Sequence, residues 1–236
     1  HELGADVRLL ERDPAHVGDD LLALAELKGF EIRAGEHSPQ QFRDLDILVM
    51  SPGVRPASIL SLLPETGGPI VMAELELAFR ETTEPILAVT GTNGKTTTAT
   101  LCARMLEYSG RRVFLGGNIG EPLSEYVLAQ EKADVLVLEV SSFQLMTCSR
   151  FRPWVGLLLN FAPNHLDWHT DLDEYLAAKL QLFANQVEDD LAVLPADLHT
   201  MLSNRLETKA RTVWFAPKKR FYSERLPGEH NQANME

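Results

Sequence analysis

Thr90-Gly91-Thr92-Asn93-Gly94-Lys95-Thr96-Thr97-Thr98 joins an apolar, β-branched run at 86–90 to a helix-forming stretch at 95–108. Glycines allow a tight turn with several backbone N–H groups pointing inward, and a helix behind the turn adds the positive end of its dipole. Such a cradle suits phosphate, so Gly91, Thr92, Asn93, Gly94, Lys95, Thr96 and Thr97 are candidate nucleotide-binding residues. Lys95 is of a type that reaches β- and γ-phosphates, and the Thr96 hydroxyl is a candidate Mg²⁺ ligand. The spacing is G-x-x-G-K-T; the standard phosphate loop has a further glycine six positions before the lysine, where this chain has Val89. The loop alone does not choose among ATPases, kinases, GTPases and ligases. No guanine-reading segment follows it.

Other polar residues stand at the ends of apolar runs. Glu139 is an acid inside the strand-like VLVLEV, near its C-terminal end, and is a candidate Mg²⁺ ligand, because open α/β sheets bind ligands at the C-terminal ends of their strands. Ser142 and Gln144 follow at once and could read a polar substrate or cap the next element. His165, in NFAPNHLD, could meet a metal or a phosphate, or be a loop histidine. Asp167 and His169 are weaker candidates by spacing. Asn118, in GGNIG, is a substrate contact or a turn residue. Lys179 interrupts the apolar face of LDEYLAAKLQLF, where a lysine is unusual; it is either ion-paired or snorkelling, or functional.

The elements that must position these groups alternate. Strand-like runs at 7–11, 30–33, 46–50, 70–71, 86–90, 113–115, 135–140, 155–160, 191–194 and 213–216 are interleaved with helical stretches at 22–28, 57–63, 73–80, 95–108, 121–129 and 172–184. Alternation of this kind predicts an α/β chain with a mostly parallel sheet. The run at 46–50 (DILVM) reads as a buried strand. The polar break Glu81-Thr82-Thr83-Glu84-Pro85 marks a domain boundary, giving domains at 1–82 and 83–236.

The chain has 236 residues, a net charge of −12 and two cysteines. That excludes a disulfide scaffold and argues against a protein that coats nucleic acid, while leaving room for a local phosphate pocket. No apolar run approaches the roughly 20 residues of a membrane helix. The first residues read as the last turn of a helix with no strand before it, and the tail from 230 to 236 forms no closing element. The chain therefore reads as a piece of a longer protein.

Taken together these stretches resemble the Mur ligases, ATP-dependent amide ligases of peptidoglycan synthesis. The matching segments are SPGV (51–54), VTGTNGKTTT (89–98), GGNIG (116–120), LEVSSFQL (138–145), NHLDWH (164–169) and AAKLQLF (177–183). GTNGKTT is shared across the family and, in variant form, with folylpolyglutamate synthases. GGNIG with LEVSSFQL is the pattern of the branch that adds D-glutamate. The resemblance implies an incomplete Rossmann-like N-terminal domain for the uridine nucleotide, then an incomplete, P-loop-containing, mostly parallel α/β central domain for ATP. The C-terminal amino-acid-binding domain would be absent, and the isolated piece inactive.

The resemblance also implies roles. Lys95 is the loop lysine; Thr96, Glu139 and His165 hold Mg²⁺; Lys179 is the lysine that becomes carbamylated and so can help hold a metal. Asn118, Ser142, Gln144 and His165 surround the muramoyl-alanine end of the substrate, and Ser51 and Gly53 help receive its nucleotide. The implied substrates are UDP-N-acetylmuramoyl-L-alanine, ATP and D-glutamate, acted on by a cytoplasmic monomer with no nucleic-acid partner. Other readings are another Mur-type or folylpolyglutamate-type ligase, a plain phosphate-loop NTPase or kinase, or a non-catalytic nucleotide-binding module. Two positions depart from the family pattern: Asn164 stands where an acid usually precedes the histidine, and Trp168 where an arginine often follows it.

Overall fold

The computed structural model describes residues 4–129 and 132–216. The helix end expected at residues 1–3 and the polar tail at 230–236 lie outside the described residues. In chain order the strands and α-helices are β1 (Val7–Glu11), α1 (Asp19–Leu24), β2 (Phe30–Ala34), β3 (Ile47–Met50), α2 (Pro56–Leu60), β4 (Ile70–Ala73), α3 (Glu74–Phe79), β5 (Ile86–Thr90) and α4 (Lys95–Tyr108). They continue with β6 (Val113–Gly117), α5 (Leu123–Leu128), β7 (Val135–Glu139), α6 (Ser142–Leu145), β8 (Val155–Leu158), α7 (Leu172–Leu180), β9 (Leu191–Pro195), α8 (His199–Leu202) and β10 (Arg211–Phe215).

The chain forms two compact units, one of residues 1–48 and 57–70, the other of 49–56 and 71–236. In the first, β1 pairs in parallel with β2, from Val7 opposite Phe30 to Glu11 opposite Ala34. Apart from this pair, strands β3 and β4 make a two-stranded sheet of their own, not confined to the first unit. The run at 46–50 does form a strand, but it is not buried throughout: Ile47 and Val49 are each 43% exposed, whereas Met50 is buried. An unbroken apolar run reads the same whether a strand is covered on both faces or on one.

The second unit is built on a six-stranded sheet in the order β10-β9-β8-β5-β7-β6. Every neighbouring pair in it is parallel. Its inner strands are short, branched and covered on both faces, as parallel sheets require. Val89 and Val137 point to one side and pack with Ala99 and Ala103 of α4. Ala88, Leu136 and Leu138 point to the other side and join a larger core with Leu75, Leu123, Leu176 and Leu180. The expected helix at 172–184 is an α-helix only to Leu180, then one 3₁₀ turn over Gln181–Phe183.

Glu76 is a charged group inside this unit, with no exposed surface. Its carboxylate accepts from the Arg80 guanidinium at 2.9 Å and from the backbone N–H groups of Arg150 and Phe151 at 3.0 and 2.8 Å. It thereby fastens the segment after α6 to helix α3. Parallel order puts the C-terminal ends of all six strands along one edge of the sheet. Thr90, Gly117, Glu139 and Leu158 end their strands there, and the polar residues that follow them form the site.

Candidate functional site

Helix α4 begins directly after the glycine loop. Gly94 is its N-cap, at φ 80°, a left-handed conformation that glycine adopts without steric cost, and no side chain caps this end. The first N–H groups of an α-helix have no partner within it, so those at the start of α4 are open to an anion. Two other loop N–H groups are already committed. Asn160, just past β8, accepts from Thr92 N–H at 3.1 Å and Asn93 N–H at 2.9 Å through Oδ1, and donates from Nδ2 to the Asn93 carbonyl at 3.0 Å. The Thr92 hydroxyl donates to the Ala162 carbonyl at 3.2 Å and accepts from Ala162 N–H at 3.0 Å. Thr92 and Asn93 thus shape the loop through their N–H groups, while Gly94, Lys95, Thr96 and Thr97 present theirs around the helix start. Lys95 Nζ donates to the Thr92 carbonyl at 3.2 Å.

Glu139 reaches this loop from the neighbouring strand β7. The Thr96 hydroxyl donates to its Oε2 at 2.6 Å, and Asn118 Nδ2 donates to its Oε1 at 2.8 Å. The carboxylate is buried, with 3% of the residue exposed. Asn118 arrives through a close approach: a Cβ on Gly117, itself at φ 99°, would lie 2.5 Å from the Glu139 carbonyl oxygen. Only glycine permits β6 and β7 to run together at that point.

Lys179 is buried with 2% exposure; its ammonium donates to the Gly91 carbonyl at 2.9 Å and lies 4.5 Å from the centre of the Tyr175 ring. Burial, and then the charge of Lys95, brings its pKa down to about 7. A sizeable fraction of this amine is therefore uncharged at neutral pH. The sequence leaves its role open; the fold puts it under the phosphate loop.

A cavity of about 260 Å³ opens in the same unit, lined by Ser51, Glu74, Asn118, Phe143 and Gln144 among others. Of the residues expected around a substrate, Ser51, Asn118 and Gln144 line it; Gly53, Ser142 and His165 do not. Gln144 is also half of a capping box: its Oε1 accepts from Ser141 N–H at 3.0 Å, and Ser141 Oγ accepts from Gln144 N–H at 3.3 Å. The capping reading of Gln144 is realised, and the residue also lines the cavity.

His165 is exposed and sits at φ 55°, a left-handed conformation that costs a non-glycine residue about 1 kcal/mol. Asn164, in the place of the usual acid, accepts from the His165 N–H at 2.9 Å. Trp168, in the place of the arginine, packs its ring 4.3 Å from Phe143. Asp167 is exposed, whereas His169 is 2% exposed and bonded to Ser142. Among the described residues no three His, Cys, Asp or Glu side chains gather as a metal cluster. Asn160, which braces the loop, is not singled out by the sequence; its signal there is a polar residue ending the strand-like run at 155–160.

The comparisons with known proteins fit this picture. The model of the Mur ligase middle domain matches residues 89–235. The chain is 53% identical over 240 residues to the UDP-N-acetylmuramoylalanine–D-glutamate ligase of Oleidesulfovibrio alaskensis, covering all of this chain and 54% of that protein. It is 54% identical over 237 residues to the ligase of the same name from Nitratidesulfovibrio vulgaris, again with 54% of that protein covered. The chain spans about half the length of these curated relatives. Among solved structures it is similar to the UDP-N-acetylmuramate:L-alanyl-gamma-D-glutamyl-meso-diaminopimelate ligase from Neisseria meningitides, with TM-score 0.55, 19% identity, and 99% of this chain and 84% of that chain covered. It also matches MurF ligase from Thermotoga maritima in complex with ADP, with TM-score 0.52, 21% identity, and 79% and 52% covered. At these identities the structures speak to the fold.

Proposed function

The chain belongs to the Mur ligase family, and from that premise we propose that its protein is an ATP-dependent amide ligase that joins D-glutamate to UDP-N-acetylmuramoyl-L-alanine in peptidoglycan synthesis. One observation carries the reading. Asn118 lines the cavity and holds Glu139, and Glu139 holds Thr96 of the phosphate loop. A substrate carboxylate in the cavity and a nucleotide phosphate on the loop then meet across two side chains.

In this reading the muramoyl-alanine carboxylate attacks the terminal phosphorus of ATP and ADP departs. The D-glutamate amine then attacks the resulting acyl phosphate, phosphate leaves, and an amide bond remains. Lys95 and the N–H groups at the start of α4 stabilise charge on the transferring group. Ser51, Gly53, Asn118, Ser142, Gln144 and His165 belong to the sugar-nucleotide side. We assign residues 1–82 to the uridine-nucleotide domain and 83–236 to the ATP domain of a cytoplasmic, monomeric enzyme.

The residues present suit Mg²⁺. Thr96 and Glu139 bring two oxygen donors within 2.6 Å of each other, and this ion binds through one or two protein oxygens plus water and phosphate. Thr96 and Glu139 would hold one ion, with His165 and a carbamylated Lys179 assisting at a second. The metal would offset negative charge on the phosphoryl oxygens. The uncharged Lys179 amine is the form that combines with CO₂, and its burial favours that form.

The deciding assay is ADP release by the full-length enzyme. Sustained release, beyond one equivalent per enzyme, should require the sugar nucleotide and D-glutamate together. ATP turnover without the sugar nucleotide, or an equal response to another amino acid, would replace this reading with a plain NTPase or a sister ligase.

A further inference from the structure

His169 has no part in the assignments above, yet it is buried where three segments of the site meet. Its Nε2 lies 2.9 Å from Ser142 Oγ, at the start of the short helix that carries Phe143 and Gln144 to the cavity wall. Its Nδ1 faces Glu174 Oε2 at 3.6 Å, on the first turn of α7, the helix that carries Lys179. Its own loop carries His165. Glu174 is held in turn, its Oε2 accepting from Thr170 N–H at 2.6 Å and from Thr170 Oγ1 at 3.1 Å. Phe143 stacks on the imidazole at 5.5 Å between ring centres, and the Trp168 and Tyr175 rings each lie at 5.0 Å.

Nδ1 is buried without a hydrogen-bond partner, 3.6 Å from the Glu174 carboxylate, so electrostatics decides between the two tautomers. A proton on Nδ1 faces the Glu174 carboxylate. A proton on Nε2 would instead leave the Nδ1 lone pair against that carboxylate, two acceptors facing each other. This favours the lone pair on Nε2, with Ser142 as donor across the 2.9 Å contact, whose direction follows the tautomer.

We propose that His169 is a positioning residue for the sugar-nucleotide site, its Nε2 accepting the Ser142 hydroxyl and so holding the Ser142–Leu145 turn, with Phe143 and Gln144, in register with the cavity. The role rests on reading that cavity as the sugar-nucleotide site. It acts on substrate binding rather than on the fold, because an apolar side chain of similar size can fill the space among Phe143, Trp168 and Tyr175.

The test uses the full-length enzyme with His169→Leu, His169→Gln and Ser142→Ala. His169→Leu removes one buried hydrogen bond, which should raise KM for the sugar nucleotide about tenfold, with KM for ATP moving less than about twofold. His169→Gln offers a carbonyl acceptor near the place of Nε2 and should recover most of the loss. Ser142→Ala should match His169→Leu, and the double variant should be no worse than either. An unchanged sugar-nucleotide KM in His169→Leu, or equal damage to both KM values without rescue by glutamine, would overturn the proposal. ¹⁵N NMR of the ligand-free protein tests it independently of activity: a protonated Nδ1 and a bare Nε2 are expected, and the reverse would sink it. A wild-type enzyme that showed no glutamate-dependent turnover would remove the ligase reading, while the NMR result would still decide the tautomer.

Discussion

The Thr96 hydroxyl donates a hydrogen bond to Glu139 Oε2 at 2.6 Å, and this bond joins the phosphate loop to the strand beside it. With its proton donated, the hydroxyl oxygen keeps lone pairs beside a carboxylate that a metal could share. Glu139→Gln keeps the shape and removes the charge. The variant should lose about a hundredfold or more in kcat, the scale of losing one aligned electrostatic group, and demand more Mg²⁺ for half-maximal rate. Steady-state kinetics over a Mg²⁺ titration would check it; normal kcat at ordinary Mg²⁺ would exclude Glu139 from metal binding.

Lys95→Ala should abolish ATP-dependent turnover in the full-length enzyme, because no other side chain of the loop carries a positive charge to the phosphates. Residual activity near wild type in an ADP-release assay would remove the loop lysine from the mechanism.

Asn160→Ala strips three hydrogen bonds from the loop, two of them to N–H groups. Stability should fall by roughly 1–3 kcal/mol in urea denaturation, and ADP should bind roughly tenfold or more weakly in calorimetry. Asn160→Asp should be more stable than the alanine variant, since an acceptor remains, yet bind ADP poorly because it adds negative charge beside the phosphates. ADP affinity equal to wild type in both would mean that the loop holds its shape unaided.

The pKa of Lys179 falls from 10.5 to about 7 on folding. Between those values the unfolded chain binds the extra proton, so this residue makes stability rise with pH across the window. Below about pH 7 the full cost of burying its charge is felt. Lys179→Met should therefore be more stable than wild type near and below pH 7, with the difference shrinking toward pH 10.5. Thermal melts in bicarbonate-free buffer would show it; a pH-independent difference would contradict the shift. Lys179→Ala should also lose activity, with partial recovery from added short carboxylic acids. Full activity without them would reject the carbamate role.

Glu76→Ala leaves the Arg150 and Phe151 N–H groups unpaired in the interior and frees Arg80. Breaking a buried charged network of this kind costs roughly 3–5 kcal/mol. Urea denaturation should show that loss. A change under about 1 kcal/mol would mean the segment has other partners or water.

The phosphate loop was legible because its signal is local: an apolar run, two glycines, Lys-Thr and a helix stand within a few residues of one another. Lys179 was legible too, as a charge on an otherwise apolar helix face. Ile47 and Val49 were misjudged because the alternation of exposure within DILVM is set by what covers the strand, not by the strand itself. The partnership of Asn160 with Thr92 was out of reach for a different reason: it joins residues 68 apart and exists because β8 lies next to β5 in the sheet. Likewise the role of His169 depends on which nitrogen faces Glu174, a matter of geometry rather than residue type. Gln144 shows the limit from the other side, since its capping role is realised while the residue also lines the cavity, and residue type alone does not separate the two.

The place of β5 between β7 and β8 also sets an order of events during synthesis. The glycine loop leaves the ribosome first, and its clamp, Asn160, is made 68 residues later. Until β8 follows it out, Thr92 and Asn93 have only water for their N–H groups. Cellular nucleotide can stabilise only a finished binding site. Its help with folding is therefore withheld from the nascent chain until most of the sheet has been made.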